Sequence, residues 1–228
     1  MKFINRSFLF IGLVLLDVFY SYTVVLFFKK FGIDIDSFSL VNKCAALIII
    51  DITFMFILYL IFRNELNREF SRYVKNFNKY FSFGFKWWII GLIVMMGSNF
   101  IIQSVFGVST ATNENYVQDA LSKMPVYIVF SSCIMAPFAE EIIFRKALRK
   151  MFNNDFLFIV MSGIIFGFVH NVSSIGSMQM LYIIPYGAFG AVFGYIYVKT
   201  NTIFTSMTFH FIHNSILVGI SLLSLGVF

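Results

Sequence analysis

The chain has 228 residues, 59% of them hydrophobic and 12% charged, with mean hydropathy +0.85 and formal net charge +6. A soluble domain carries about 25% charged residues, so this composition excludes an ordinary soluble globule. It predicts an all-α, polytopic membrane helix bundle of about seven transmembrane helices, each of roughly 20 residues. Lys and Arg gather in a few loops, which fits cytoplasmic anchoring and gives no reason to expect nucleic-acid binding.

The first apolar run is Ser7 to Phe28. Lys2 and Arg6 precede it as in a signal peptide, but the run exceeds an h-region and no small-residue cleavage site follows, so it reads as a span. Asp17 lies within it, and Asp51 within the second run, Cys44 to Phe62. Both read as polar groups at helix contacts or beside a bundle cavity. Arg63 to Lys86 is the longest polar segment. Its aromatics Phe70, Tyr73, Phe77, Tyr80 and Phe81 recur at helical spacing, which predicts an amphipathic helix on the anionic membrane surface.

The third run, Trp87 to Phe106, opens on an interfacial aromatic pair. Gly107 to Lys123 is polar, holds one basic residue, and reads as an external loop. Pro125 suits the first turn of a fourth span that extends to about Met151. After the turn at Asn153-Asn154-Asp155 come runs five (Phe156 to His170), six (Met180 to Val198) and seven (Thr202 to Leu225). Gly187, Gly190 and Gly194 in the sixth predict a close helix approach.

With the N-terminus inside, thirteen of the 17 basic residues fall on inner segments, so a cytoplasmic N-terminus is expected. The organisation expected is one integral membrane domain over residues 1–228. N-terminal spans and the basic cytoplasmic loop occupy 1–124, and the chemistry-bearing spans 125–228. Cys44 and Cys133 both lie in apolar runs and read as small hydrophobes without a disulfide.

Chemistry concentrates around Ala136 to Arg145. Ionisable residues at membrane depth are costly and point to a functional site. Glu141 and Arg145, four apart, share a helix face and are natural partners. Glu140 is turned about 100° away and needs a partner from another helix. Phe166 and His170 are four apart on the fifth run, as are His210 and Asn214 on the seventh. These polar groups are expected to meet within the bundle. His213 lies off the His210–Asn214 face and reads as structural. Counted at 1.5 Å per residue, Glu140 and His210 lie at similar depth, somewhat to the cytoplasmic side. His170 fits that depth least well, and helix tilt or a later start to the fifth span would reconcile it.

Glu140-Glu141-x-x-x-Arg145, Phe166-x-x-x-His170 and His210-x-x-x-Asn214, in this order on separate spans, resemble the three motifs of the CPBP family. That family comprises the type II CAAX prenyl proteases and their bacteriocin-processing Abi relatives. The resemblance covers roughly Pro125 to Leu217. It implies an intramembrane, glutamate-dependent endopeptidase. Glu140 would be the general base on water, aided by His170, and His210 and Asn214 would stabilise the oxyanion. Glu141, Arg145 and Phe166 would support the site. It implies no cofactor; were zinc present, Glu140, His170 and His210 would hold it.

The expected partners are the lipid bilayer, in a cell membrane of bacterial type, and a peptide or protein substrate. A pheromone, a bacteriocin leader and a lipidated C-terminus all remain open. Two other classes fit a membrane chain. One is a non-catalytic bacteriocin-immunity or partner-binding protein, in which the motifs are structural. The other is a transporter with a proton relay through Glu140 and His170, against which stands the lack of an inverted repeat.

Overall fold

The computed structural model describes residues 3–226, with side chains from residue 6, so Lys2 lies outside the described residues. The described chain is helical, without strands, and seven of its helices are long and apolar enough to cross a membrane. The spans are α1 (Phe3–Lys30), α2 (Leu40–Lys75), α3 (Phe77–Phe106), α5 (Pro125–Ala147), α6 (Asp155–Asn171), α7 (Ile183–Thr200) and α8 (Ile203–Ser224). Between α3 and α5 the polar segment holds a further helix, α4 (Thr112–Lys123), in place of an unstructured loop.

Local chemistry sets the boundaries. Ser39, Asn154 and Thr202 cap α2, α6 and α8 by accepting hydrogen bonds from backbone N–H groups of the first turn. Pro125 opens α5, where its missing N–H costs nothing. Gly107 ends α3 in the left-handed region at φ 68°, which a side chain would disfavour.

The segment Arg63 to Lys86 is helical but is not a separate surface helix. Residues up to Lys75 prolong α2, and α3 begins at Phe77. Its aromatics pack on α8: Phe70 and Tyr73 against Phe204, and Phe81 against Phe209. Its acids explain the difference. Glu65 and Glu69, one turn apart, face Lys146 and Lys150, one turn apart on the end of α5 and just beyond it. The contacts are Lys146–Glu69 at 2.5 Å, Lys146–Glu65 at 2.9 Å and Lys150–Glu65 at 2.7 Å. Glu69 Oε2 also accepts from the Ile203 N–H at 2.9 Å and so caps α8. One carboxylate thus ties α2, α5 and α8 together at the basic end of the bundle.

Helices α6 and α7 pack with backbones in near contact. A Cβ on Gly163 would lie 2.6 Å from the Gly187 carbonyl, and one on Gly167 2.6 Å from the Ile183 carbonyl. The glycines of α7 therefore meet glycines of α6, and the small-residue stripe works from both sides. Asp51 is buried and interacts with Ser21, Tyr127 and Ser131, joining α1, α2 and α5 as its polar character predicts. Cys44 and Cys133 are both buried and unbridged.

Candidate active site

Helix α5 is not uniform. Ser131–Met135 and Ile142–Ala147 are wound as π-helix, on either side of the α-helical turn Ala136–Glu141. A π segment adds a residue to the turn and displaces backbone carbonyls from their usual partners, and such segments recur at functional sites. One of these carbonyls, on Ser132, accepts a hydrogen bond from Nδ2 of Asn214 at 2.8 Å. That bond fastens α8 to α5 and leaves Asn214, which lines the cavity, a second amide N–H to donate.

Glu140, His170 and His210 come together. Oε2 of Glu140 lies 3.7 Å from Nε2 of His210 and 3.8 Å from Nε2 of His170, and has no hydrogen-bond partner within the protein. Each imidazole is fixed through its other nitrogen. Nδ1 of His170 donates to the Phe166 carbonyl at 3.0 Å, and Nδ1 of His210 lies 3.1 Å from Oε1 of Glu141. With Nδ1 as the donor, each Nε2 is directed at Glu140.

The His170 ring is held on both faces, by Phe166 at 4.2 Å and Tyr186 at 5.1 Å between centroids. The sequence reading had no basis for Tyr186, an α7 residue whose hydroxyl accepts from Asn113 of α4. The bond to Phe166 also accounts for the depth of His170. A helical side chain leans toward its own N-terminus, so the ring folds back along α6 over Phe166. That fold-back shortens the gap, and α6 does not start late: it begins at Asp155.

Beneath these groups, toward the basic end, the site is sealed. Arg145 is completely buried. Its Nε is 3.3 Å from Glu141 Oε2, its Nη1 donates to Ser162 Oγ at 2.8 Å, and its guanidinium lies over the rings of Phe166 and Phe193. Glu141 therefore serves two partners, Arg145 on its own helix and His210 on α8, where sequence spacing indicates only the first. His213 is buried, stacks on Phe189 at 4.2 Å, and lines the cavity wall without reaching Glu140. Among the described residues no group of three or more His, Cys, Asp or Glu side chains would hold a metal ion.

A cavity of about 500 Å³ rises from Glu140, His170 and His210 between α3, α4, α7 and α8. Such a volume is typical of a small-molecule or peptide site.

Residues 122–216 match the family model described as type II CAAX prenyl endopeptidase Rce1-like. This match covers less than half of the chain and spans the three motifs that resemble the CPBP family. The Bacillus subtilis (strain 168) protein named "Putative membrane peptidase YdiL" is 30% identical over 140 residues, 58% of this chain and 54% of that protein. The match thus spans about half of that relative's length. UPF0177 protein YxdF of Lactococcus lactis subsp. lactis (strain IL1403) is 24% identical over 147 residues, 60% of this chain and 78% of its own. No solved structure matches the chain. The matched region holds all three motifs, and every side chain read from them lines the cavity or packs directly beneath it.

Proposed function

We propose that the protein is an intramembrane endopeptidase that hydrolyses a peptide bond of a membrane-associated polypeptide by direct attack of water. One observation carries this reading: a carboxylate oxygen without a protein partner faces the Nε2 atoms of two anchored histidines at the base of a cavity.

Each Nε2 lies 3.7–3.8 Å from Oε2, beyond direct hydrogen-bond reach and in the range that a water bridges between two polar groups. Glu140 takes a proton from that water as its oxygen bonds to the scissile carbonyl carbon. The carbonyl oxygen becomes an oxyanion, which the free N–H of Asn214 and His210 stabilise. For His210 to donate from Nε2 while Nδ1–H faces Glu141, its ring must carry a proton on both nitrogens. The C–N bond then breaks, and the proton held by Glu140, relayed by His170, passes to the leaving nitrogen. Glu140 is regenerated as a carboxylate. The reaction is written without a metal ion.

The test is hydrolysis of a quenched fluorescent peptide library by detergent-purified protein. The wild type is expected to cleave, and Glu140→Ala, His170→Ala and His210→Ala to be inactive while still inserting into the membrane. Undiminished cleavage by Glu140→Ala would overturn the proposal.

A further inference from the structure

The cavity has a direction. Its wall nearest Arg145 and Glu141 is formed by Glu140 on α5, Phe193 on α7 and His210 on α8. From there the lining extends to Gln103, Ser109, Gln118 and Ser224 at an exposed rim. In the opposite direction, Arg145, Phe144, Phe166 and the Ser162 hydroxyl close the bundle. Beyond that plug lies the basic end, with Arg72, Lys75, Lys146, Arg149, Lys150 and Lys199.

The two ends differ sharply in charge. At the rim end the four lysines are matched by four carboxylates. Three of these pairs are in contact: Lys29–Asp34 at 3.1 Å, Lys43–Asp36 at 2.7 Å and Lys123–Asp119 at 2.7 Å. The plugged end keeps nearly the whole basic excess. Lys and Arg accumulate on the cytoplasmic side of short-looped membrane proteins. The plug therefore faces the cytoplasm and the rim faces outward.

We propose that the cavity receives its polypeptide from the non-cytoplasmic face of the membrane. The substrate class is an extended segment of an exported or membrane-anchored polypeptide, approaching from outside. The lining supports an extended backbone as occupant. Amides and hydroxyls of Asn99, Gln103, Thr110, Gln118, Ser221 and Ser224 line the way in and can pair with peptide N–H and C=O groups. Helix α4 roofs this vestibule. It is tied down by Asn113 to Tyr186 at 3.3 Å and by the Thr112–Ser174 hydroxyl pair at 2.8 Å. The roof thus bears on the ring that holds His170.

The direction of opening is independent of catalysis, whereas the substrate class rests on the peptidase reading; two measurements separate them. In the first, Ser109→Cys, Ser224→Cys, Lys75→Cys and Lys199→Cys variants are exposed in intact cells to a membrane-impermeant maleimide. The rim cysteines are expected to label at once, and the basic-end cysteines only after permeabilisation. The reverse pattern overturns the proposal whatever the enzyme does. In the second, sealed right-side-out vesicles receive an impermeant quenched peptide library, with Glu140→Ala vesicles as the blank. Cleavage without lysis is expected. Cleavage that needs lysis overturns the outward opening, whereas absence of cleavage even in detergent overturns the peptidase reading instead.

Discussion

Oε1 of Glu141 lies 3.1 Å from Nδ1 of His210, so the carboxylate that neutralises Arg145 along its own helix also holds an imidazole of another helix. All three groups are buried. An acid, a guanidinium and a ring from α5 and α8 thus form one charged unit beneath Glu140. Its members are expected to depend on one another far more than exposed charges do.

Glu141→Gln keeps the shape of the side chain and removes its charge. Arg145 is then a buried cation that has lost its contacting counter-charge, and breaking such a pair costs about 3–5 kcal/mol. The variant is expected to unfold at lower temperature in detergent and to lose peptide hydrolysis through kcat. Adding Arg145→Met should recover much of the stability and none of the activity, because His210 still lacks its anchor. Thermal unfolding measured beside steady-state kinetics checks both halves.

Glu140→Gln is expected to behave in the opposite way. Its Oε2 has no hydrogen-bond partner in the protein and its carboxylate is only 17% exposed, so the fold gains little from its charge. Replacing a poorly solvated carboxylate by an amide relieves a desolvation cost. The melting temperature should stay level or rise while hydrolysis is lost. A clear drop in melting temperature would mark Glu140 as a structural residue and count against its role as the base.

Spacing in the sequence identifies much of this site. Glu141 and Arg145 are four apart on one helix, and their contact follows from helical geometry alone. Phe166 and His170 stack for the same reason. The offset of Glu140 from that face is equally legible, and so is its need for a partner from elsewhere. What spacing cannot supply is contact between helices that are distant in the chain. Tyr186 and Ser162 come from α7 and α6, and only the packing of those helices brings them to the site. The π-wound turn before Pro137 is marked by that proline, whose missing N–H leaves the Ser132 carbonyl to accept from Asn214. The basic segment from Arg63 is helical, as its aromatics predict, but does not form a helix of its own. Its aromatic period is real, but Glu65 and Glu69 match the spacing of Lys146 and Lys150, and this ion pairing draws the segment onto the bundle instead of the lipid surface.

The contact between α6 and α7 sets where His170 stands. Gly167→Ala would place a Cβ 2.6 Å from the Ile183 carbonyl, which cannot move without shifting its helix. Overpacking of this kind costs about 1–3 kcal/mol. The variant should melt earlier and lose activity out of proportion to its stability, because His170 lies three residues further along the same helix. Gly97→Ala meets nothing within 4 Å and is expected to change neither quantity. Circular-dichroism melts and peptide hydrolysis of the two variants make the comparison.

Glu69 and Lys146 make a separate test of the basic end. Lys146 is 2% exposed and lies 2.5 Å from Glu69. Glu69→Leu is expected to destabilise, but by less than the roughly 3–5 kcal/mol of a buried charge left unpaired, because Glu65 still contacts Lys146 at 2.9 Å. Glu69→Leu combined with Lys146→Met should recover much of that loss. Recovery should be incomplete, because the Ile203 N–H at the start of α8 also loses its acceptor. Chemical denaturation of the single and double variants in one detergent measures the difference.

Metal removal bears directly on what Glu140 does. Both histidines donate through Nδ1, to a backbone carbonyl and to a carboxylate, and metal-bound histidines are anchored in the same way. Anchoring therefore does not separate a water-activating base from a ligand set, and the distinction falls to the three converging atoms. As a base, Glu140 needs its oxygen free to take a proton, and activity should survive 1,10-phenanthroline and dialysis against EDTA. The purified protein should then carry no stoichiometric zinc by elemental analysis. Stoichiometric zinc, with activity lost on chelation and restored on its return, would instead make Glu140, His170 and His210 ligands. The attacking water would then be activated by the ion, and Glu140→Gln would lose metal content together with activity. Measuring both quantities on one preparation decides between the two chemistries.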